Sequence, residues 1–237
     1  MTAREKVVFG SLDQKRIRGL LFDVDGTLSD TDDHMVNQLI DWLMPIAFLF
    51  NEKNPRKFSR WLVMTAETPA NFLYNLADKL GVDGLLSEFY NMLSQRKRRK
   101  ELPENRLEII PGIQPMLARL SENYPLAVAS ARDEASTMSF LEQYELLPYF
   151  KTIVTSQSSR HTKPYPDPIH LAAEGLNLKA SECLMIGDTI VDVRAAKAAS
   201  AQTLAVLCGF GTLRELKRAG ADLILTCTPD ILEILQT

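Results

Sequence analysis

The sequence predicts an α/β fold, a doubly wound parallel sheet with an inserted α-helical domain. Two observations carry this. Short, nearly continuous apolar runs alternate with segments of helical spacing, the pattern of a parallel sheet covered on both faces. Between residues 32 and 108 that alternation stops and helical patterns follow one another. A chain of 237 residues can bury one large core and a second, smaller one.

In chain order, residues 18–24 (RGLLFDV) are a short apolar run closed by Asp-Gly-Thr, a buried strand ending in a turn. Helical spacing follows at 35–43 and at 71–80, the latter stopped by Gly81. The segment ELPENRLEIIPG then supplies turn-favouring residues ahead of the next helix. Residues 32–108 are therefore assigned to a helical domain, and residues 1–31 with 109–237 to a Rossmann-like core. Further strands are expected at 126–130, 152–155, 183–187, 203–207 and 222–225, and helices at 113–122, 134–144, 168–174, 191–199, 213–219 and 229–235.

Composition narrows the function. Apolar residues make up 46% of the chain, and 27 Lys and Arg against 30 Asp and Glu leave a net charge of −3. A disordered chain would be less apolar, and a nucleic-acid binder would carry a basic excess. The longest apolar run, 42–50, is broken by Pro45 and is far short of the roughly 20 residues of a membrane helix. Residues 4–13 lack a secretory apolar core. Cys183, Cys208 and Cys227 include no close pair in sequence, so reduced thiols and a cytoplasmic setting are expected.

The chemistry concentrates at strand ends. Asp23 and Asp25 stand two residues apart where the first strand closes, so the period of a strand turns both carboxylates to one face. Carboxylates that close repel unless a cation lies between them or one holds a proton. Gly26 allows a tight turn, and Thr27 offers a hydroxyl and an N–H. The bland alternative is that the acids cap the turn. A second acidic strand end, IGDTIVD, brings Asp188 and Asp192 to the start of a helix, where simple capping is again an alternative. Together the two ends supply the hard oxygen ligands that Mg²⁺ prefers.

Ser130 ends another strand, and its hydroxyl with the N–H groups of Ala131 and Arg132 could hold phosphate oxygens, or the serine could cap the next helix. Lys163, in the proline-rich HTKPYPDP, could offset the carboxylates and bind a phosphoryl group, or sit on a solvated surface.

DVDGTLSD, a strand-end serine, Lys163 followed by PYPDP, and GDTIVD resemble, in the same order, the four motifs of the haloacid dehalogenase superfamily. The likeness spans essentially the whole chain and is greatest to the phosphoglycolate-phosphatase-like branch, whose helical cap follows the first motif. The resemblance implies that Asp23 is a nucleophile forming an aspartyl-phosphate and that Asp25 is the acid and then the base. It implies Mg²⁺ held by Asp23, the Asp25 backbone carbonyl and Asp188, with Asp192 as ligand or support. Thr27, Ser130, Ala131 and Lys163 are the expected phosphate-binding residues, Lys163 also steadying the nucleophile. Ala131 and Arg132 depart from the family, whose members often carry Asn or Gly after the serine. The carboxylate at Asp25 favours phosphoryl transfer over dehalogenation.

The function so implied is a Mg²⁺-dependent phosphatase for a small phosphorylated metabolite, with 2-phosphoglycolate as the leading substrate and a mobile cap that excludes water. The alternatives are a phosphoglucomutase-like transferase, a pyrophosphatase, and a non-catalytic phospholigand-binding protein. No nucleic-acid or membrane partner is expected, and the assembly is a monomer or homodimer. The basic run 96–100 is read as a solvated face, with guidance of anions as the alternative. His34, His161 and His170 lack mutual metal-ligand spacing. Trp42, Phe48, Phe50, Trp61 and Phe72 are assigned to the cap core.

Overall fold

The computed structural model describes residues 9–30 and 108–235. The chain divides into two compact units, Met1–Asp32 with Leu107–Thr237, and Asp33–Arg106. The expectations for 35–43, 71–80, the basic run 96–100, His34 and the aromatic residues of the insert lie outside the described residues.

The described unit is built on nine strands: β1 (Phe9–Gly10), β2 (Gly19–Phe22), β3 (Ser29–Asp30), β4 (Glu108–Ile109), β5 (Leu126–Ala129), β6 (Phe150–Val154), β7 (Cys183–Gly187), β8 (Gln202–Val206) and β9 (Leu223–Leu225). Five α-helices connect them: α1 (Ile113–Ser121), α2 (Glu134–Gln143), α3 (Asp167–Gly175), α4 (Ile190–Ala198) and α5 (Leu213–Ala219). The main sheet runs β1-β9-β8-β7-β2-β5-β6. All its pairs are parallel except β1 with β9.

The six strands expected in this part of the sequence are all present, and five of the six helices are α-helical. Residues 229–235 differ. They fall largely in a 3₁₀ segment, Thr228–Glu233, whose first turn holds Pro229. Two pairings carry no signal in the sequence: β1 adds an antiparallel edge of two residues, and β3 pairs with β4 in a separate ribbon, Ser29 opposite Ile109. Strands this short are below the length at which a period of two can be read.

Alternation along each strand sends side chains to two cores. Leu20, Phe22, Val128, Leu184, Ile186 and Leu204 pack with Met116 and Leu120 of α1 and Phe140 of α2. On the other face, Leu21, Ala127, Ala129 and Met185 meet Ile169 and Ala172 of α3 and Ala195 and Ala196 of α4. Alanines let these two helices approach the sheet closely. The larger side chains fill the opposite layer, where truncating fully buried Phe22 would cost about 3–5 kcal/mol.

This topology positions the site. From β2 the chain crosses to β5 and β6 on one side, then returns to β7, β8 and β9 on the other. Ligands in such sheets bind where the order reverses, beyond the carboxyl ends of the strands. The loops following β2, β5 and β7 all leave at that end, and they carry Asp23 and Asp25, Ser130, and Asp188.

Candidate active site

The chain leaves β2 at Asp23, whose N–H donates to the Ile186 carbonyl at 2.9 Å and extends the ladder by one step. A tight turn follows, in which the Val24 carbonyl accepts from the N–H groups of Leu28 and Ser29, both at 2.9 Å. Gly26 has φ +69°, and a Cβ there would lie 2.4 Å from Asp188 Oδ2. Its glycine is thus required by backbone conformation and by the proximity of a carboxylate.

Asp23 is 7% exposed, and its Oδ1 lies 2.9 Å from Lys163 Nζ. The same ammonium lies 2.6 Å from Asp192 Oδ1, so a buried lysine bridges two buried acids from different elements. Asp192 is also the reciprocal cap of α4: its Oδ2 accepts from the Thr189 N–H at 3.0 Å and from the Thr189 hydroxyl at 2.6 Å. Capping and lysine anchoring therefore coexist in one side chain. Gly187 accommodates this, since a Cβ there would lie 2.5 Å from Asp192 Cγ.

Asp188 is fully buried. Its Oδ2 accepts from the Phe210 N–H at 2.6 Å, and its carbonyl accepts from the Gly211 N–H at 3.0 Å. Thr27 is also fully buried. Its hydroxyl donates to Asp188 Oδ1 at 3.4 Å, its N–H donates to Val24, and its carbonyl accepts from Thr228. The structure therefore turns Thr27 onto Asp188, where the sequence reading had offered it to phosphate.

Electrostatics follow from this crowding. Burial pushes the Asp23 carboxyl up to about 7, Asp192 and Asp25 add to the rise, and Lys163 opposes it. Burial also raises Asp188 well above the usual carboxylate range, reinforced by Asp192 and Asp23. For Lys163 burial disfavours the charge, yet Asp192 and Asp23 outweigh it and hold the ammonium above its ordinary range. Asp23, Asp188 and Asp192 each offer an oxygen within 4.8 Å of the others.

Asp25 has a separate environment. Arg132 Nε donates to its Oδ2 at 3.0 Å and Arg132 Nη2 to its Oδ1 at 2.5 Å, a two-point fork. The period of a strand had placed Asp23 and Asp25 together, but β2 ends at Phe22 and the two acids take different partners. Ser130 is buried, and its Oγ accepts from the Arg132 N–H at 3.1 Å. That N–H, one of two expected to hold phosphate, is therefore committed to the serine. The Ser130 hydroxyl proton and the Ala131 N–H have no acceptor among the described residues.

Sequence reasoning missed the Arg132 side chain, the Thr189 cap and the loop 207–212. Its GFG was the available signal, because Gly209 and Gly211 both abut Asp188. His161 pairs with Asp167 at 3.1 Å and stacks on Tyr165, and neither it nor His170 joins the carboxylate cluster.

Residues 20–206 match the profile of haloacid dehalogenase-like hydrolases. The chain is 27% identical to pyrophosphatase PpaX of Oceanobacillus iheyensis, over 92% of this chain and 97% of that protein. It is 29% identical to "Probable phosphatase IndB" of Dickeya dadantii, over 87% and 88% of the respective chains. Among solved structures, a "predicted phosphatase" from Clostridium acetobutylicum aligns with a TM-score of 0.66 and 25% identity, covering 92% of this chain and 97% of that one.

Proposed function

The chain belongs to the haloacid dehalogenase-like hydrolase family, and from that premise we propose that it is a Mg²⁺-dependent phosphatase of a small phosphorylated metabolite, with Asp23 as nucleophile. The observation that supports this best is the buried group itself: Asp23, Asp188 and Asp192 share a single lysine, which leaves negative charge that a bound cation would offset.

The donor set fits Mg²⁺, since all three side chains offer hard carboxylate oxygens. Asp23, Asp188 and the Asp25 carbonyl would hold the ion. Asp192, with one oxygen on Lys163 and the other on Thr189, would support the ligands from behind. When bound, the ion supplies positive charge against the carboxylates and the phosphoryl oxygens.

In this reading Lys163 and the Ser130 hydroxyl bind the phosphoryl group, with the Ala131 N–H as a further donor. An Asp23 oxygen forms a bond to phosphorus while the bond to the leaving oxygen breaks, and that oxygen takes a proton from Asp25. Water then attacks the aspartyl-phosphate and gives a proton back to Asp25. The Asp23–phosphorus link breaks and inorganic phosphate leaves.

The leading substrate remains 2-phosphoglycolate. Pyrophosphate is a second reading, favoured by the similarity to pyrophosphatase PpaX. The deciding experiment measures phosphate release from a panel of phosphoesters, sugar phosphates and pyrophosphate, with Mg²⁺ or EDTA, for the native chain and Asp23→Asn. Metal-dependent release that vanishes in the variant is the expected result. Interconversion of glucose phosphates without release would make it a transferase, and binding without turnover would make it a phospholigand-binding protein.

A further inference from the structure

Arg132 holds Asp25 in a way that conflicts with the work Asp25 has to do. Both carboxylate oxygens accept from the guanidinium, at 3.0 and 2.5 Å. A carboxyl gripped at both oxygens is an acceptor twice over, and to protonate a leaving oxygen it must release at least one of those bonds. Something must therefore draw the guanidinium away.

The geometry around Arg132 indicates what that is. Its backbone is pinned on both sides, the N–H on Ser130 Oγ at 3.1 Å and the carbonyl accepting from the Ser156 N–H at 3.0 Å. Its position is thus tied to the serine expected to hold the transferring phosphoryl group. The side chain is part-exposed, 22% against 30% for Asp25, whereas Lys163 is buried between Asp23 and Asp192. The guanidinium Nη1 has no acceptor among the described residues. Arg132 is therefore a cation on the leaving-group side of the site, with donor capacity to spare and one anionic partner that can be exchanged for another.

We propose that Arg132 is a specificity-determining latch: an anionic group on the leaving half of the substrate takes its guanidinium from Asp25 and thereby frees Asp25 to protonate the leaving oxygen. This rests on the phosphatase reading and deepens it. The substrates selected are phosphate esters or anhydrides whose leaving group carries its own carboxylate or phosphate. A neutral leaving group offers no anion to exchange, so Asp25 stays latched.

A matched pair of substrates tests this. 2-Phosphoglycolate and 2-hydroxyethyl phosphate differ in having a carboxylate or a hydroxymethyl on the leaving half, and kcat and KM are measured for both with the native chain, Arg132→Ala and Arg132→Lys. The native chain prefers the carboxylate substrate, and Arg132→Ala reduces that preference about 10- to 100-fold, the scale of hydrogen bonds to charged groups, mainly through KM of the carboxylate substrate. Arg132→Lys keeps the charge without the fork and loses part of the preference, which carries the test if the alanine variant fails to fold. Equal losses on both substrates would show that Arg132 serves the transferring phosphoryl group or only supports Asp25, and would overturn the inference while leaving the phosphatase reading intact. A native chain that hydrolyses neither these nor any other phosphoester overturns both.

Discussion

Gly209 abuts Asp188 with no room for a side chain: a Cβ on Gly209 would lie 2.1 Å from Asp188 Oδ2 and 2.6 Å from the Gly26 carbonyl. The loop after β8 therefore presses bare backbone onto the Asp188 carboxylate, and the neighbouring Phe210 N–H orients it. Gly209→Ala must displace either Asp188 or the turn at Gly26. The expected cost is roughly 1–3 kcal/mol of stability, as for other overpacked sites. Metal-dependent activity should fall further than stability does, which parallel melting curves and Mg²⁺ titrations of activity would check.

The raised Asp23 carboxyl makes the metal-free protein sensitive to pH. Its ordinary value of 3.8 applies to the unfolded chain and about 7 to the folded one. Between those values the native state retains a proton that the unfolded state has lost, so stability falls as pH rises from about 4 to about 7 and then levels. The contribution is on the order of 2–4 kcal/mol. Asp23→Asn should flatten this window and raise the melting temperature of the metal-free protein at pH 8, while abolishing turnover. Thermal denaturation in EDTA across pH, for both proteins, provides the check.

Lys163→Met should be strongly destabilising, by about 3–5 kcal/mol, because it leaves Asp23 and Asp192 buried without their shared cation. The penalty should be smaller at pH 5 than at pH 8, since protonated acids no longer need the partner. Denaturant unfolding at the two pH values measures it. Equal loss at both would show that packing of the lysine stem, rather than its charge, is what matters.

Asp188 and Asp192 should separate when each is changed to Asn. Both Asp192 oxygens are engaged by Lys163 and Thr189, whereas Asp188 is oriented by one backbone N–H and one long hydroxyl contact. Asp188→Asn should abolish metal-dependent turnover. Asp192→Asn should cost about 10- to 100-fold, the usual penalty for losing a group that supports ligands. Activity as a function of Mg²⁺ concentration distinguishes the two.

Much of this could be read locally. The strand 183–187 was marked out by its apolar run and matches β7 residue for residue, and the helix at 213–219 matches α5. Acids at the ends of β2 and β7 stood out because fully buried strands rarely finish in charge. The 3₁₀ turn at Thr228–Glu233 and the short pairs β1 with β9 and β3 with β4 escaped, since six residues or fewer leave too little pattern to tell one period from another.

The sequence by itself determined the alternation of strand and helix and the identity of the acids, because both are properties of neighbours along the chain. Tertiary structure alone decided who meets whom. Arg132 grips Asp25 from 107 residues away, Thr27 reaches Asp188 across 161, and the Phe210 N–H orients Asp188 from a third loop. Such pairings depend on the order and register of parallel strands, which bring loops distant in sequence to one end of the sheet. No local period encodes that proximity, so the sequence could name Asp25 while only the fold could show that Arg132 holds it.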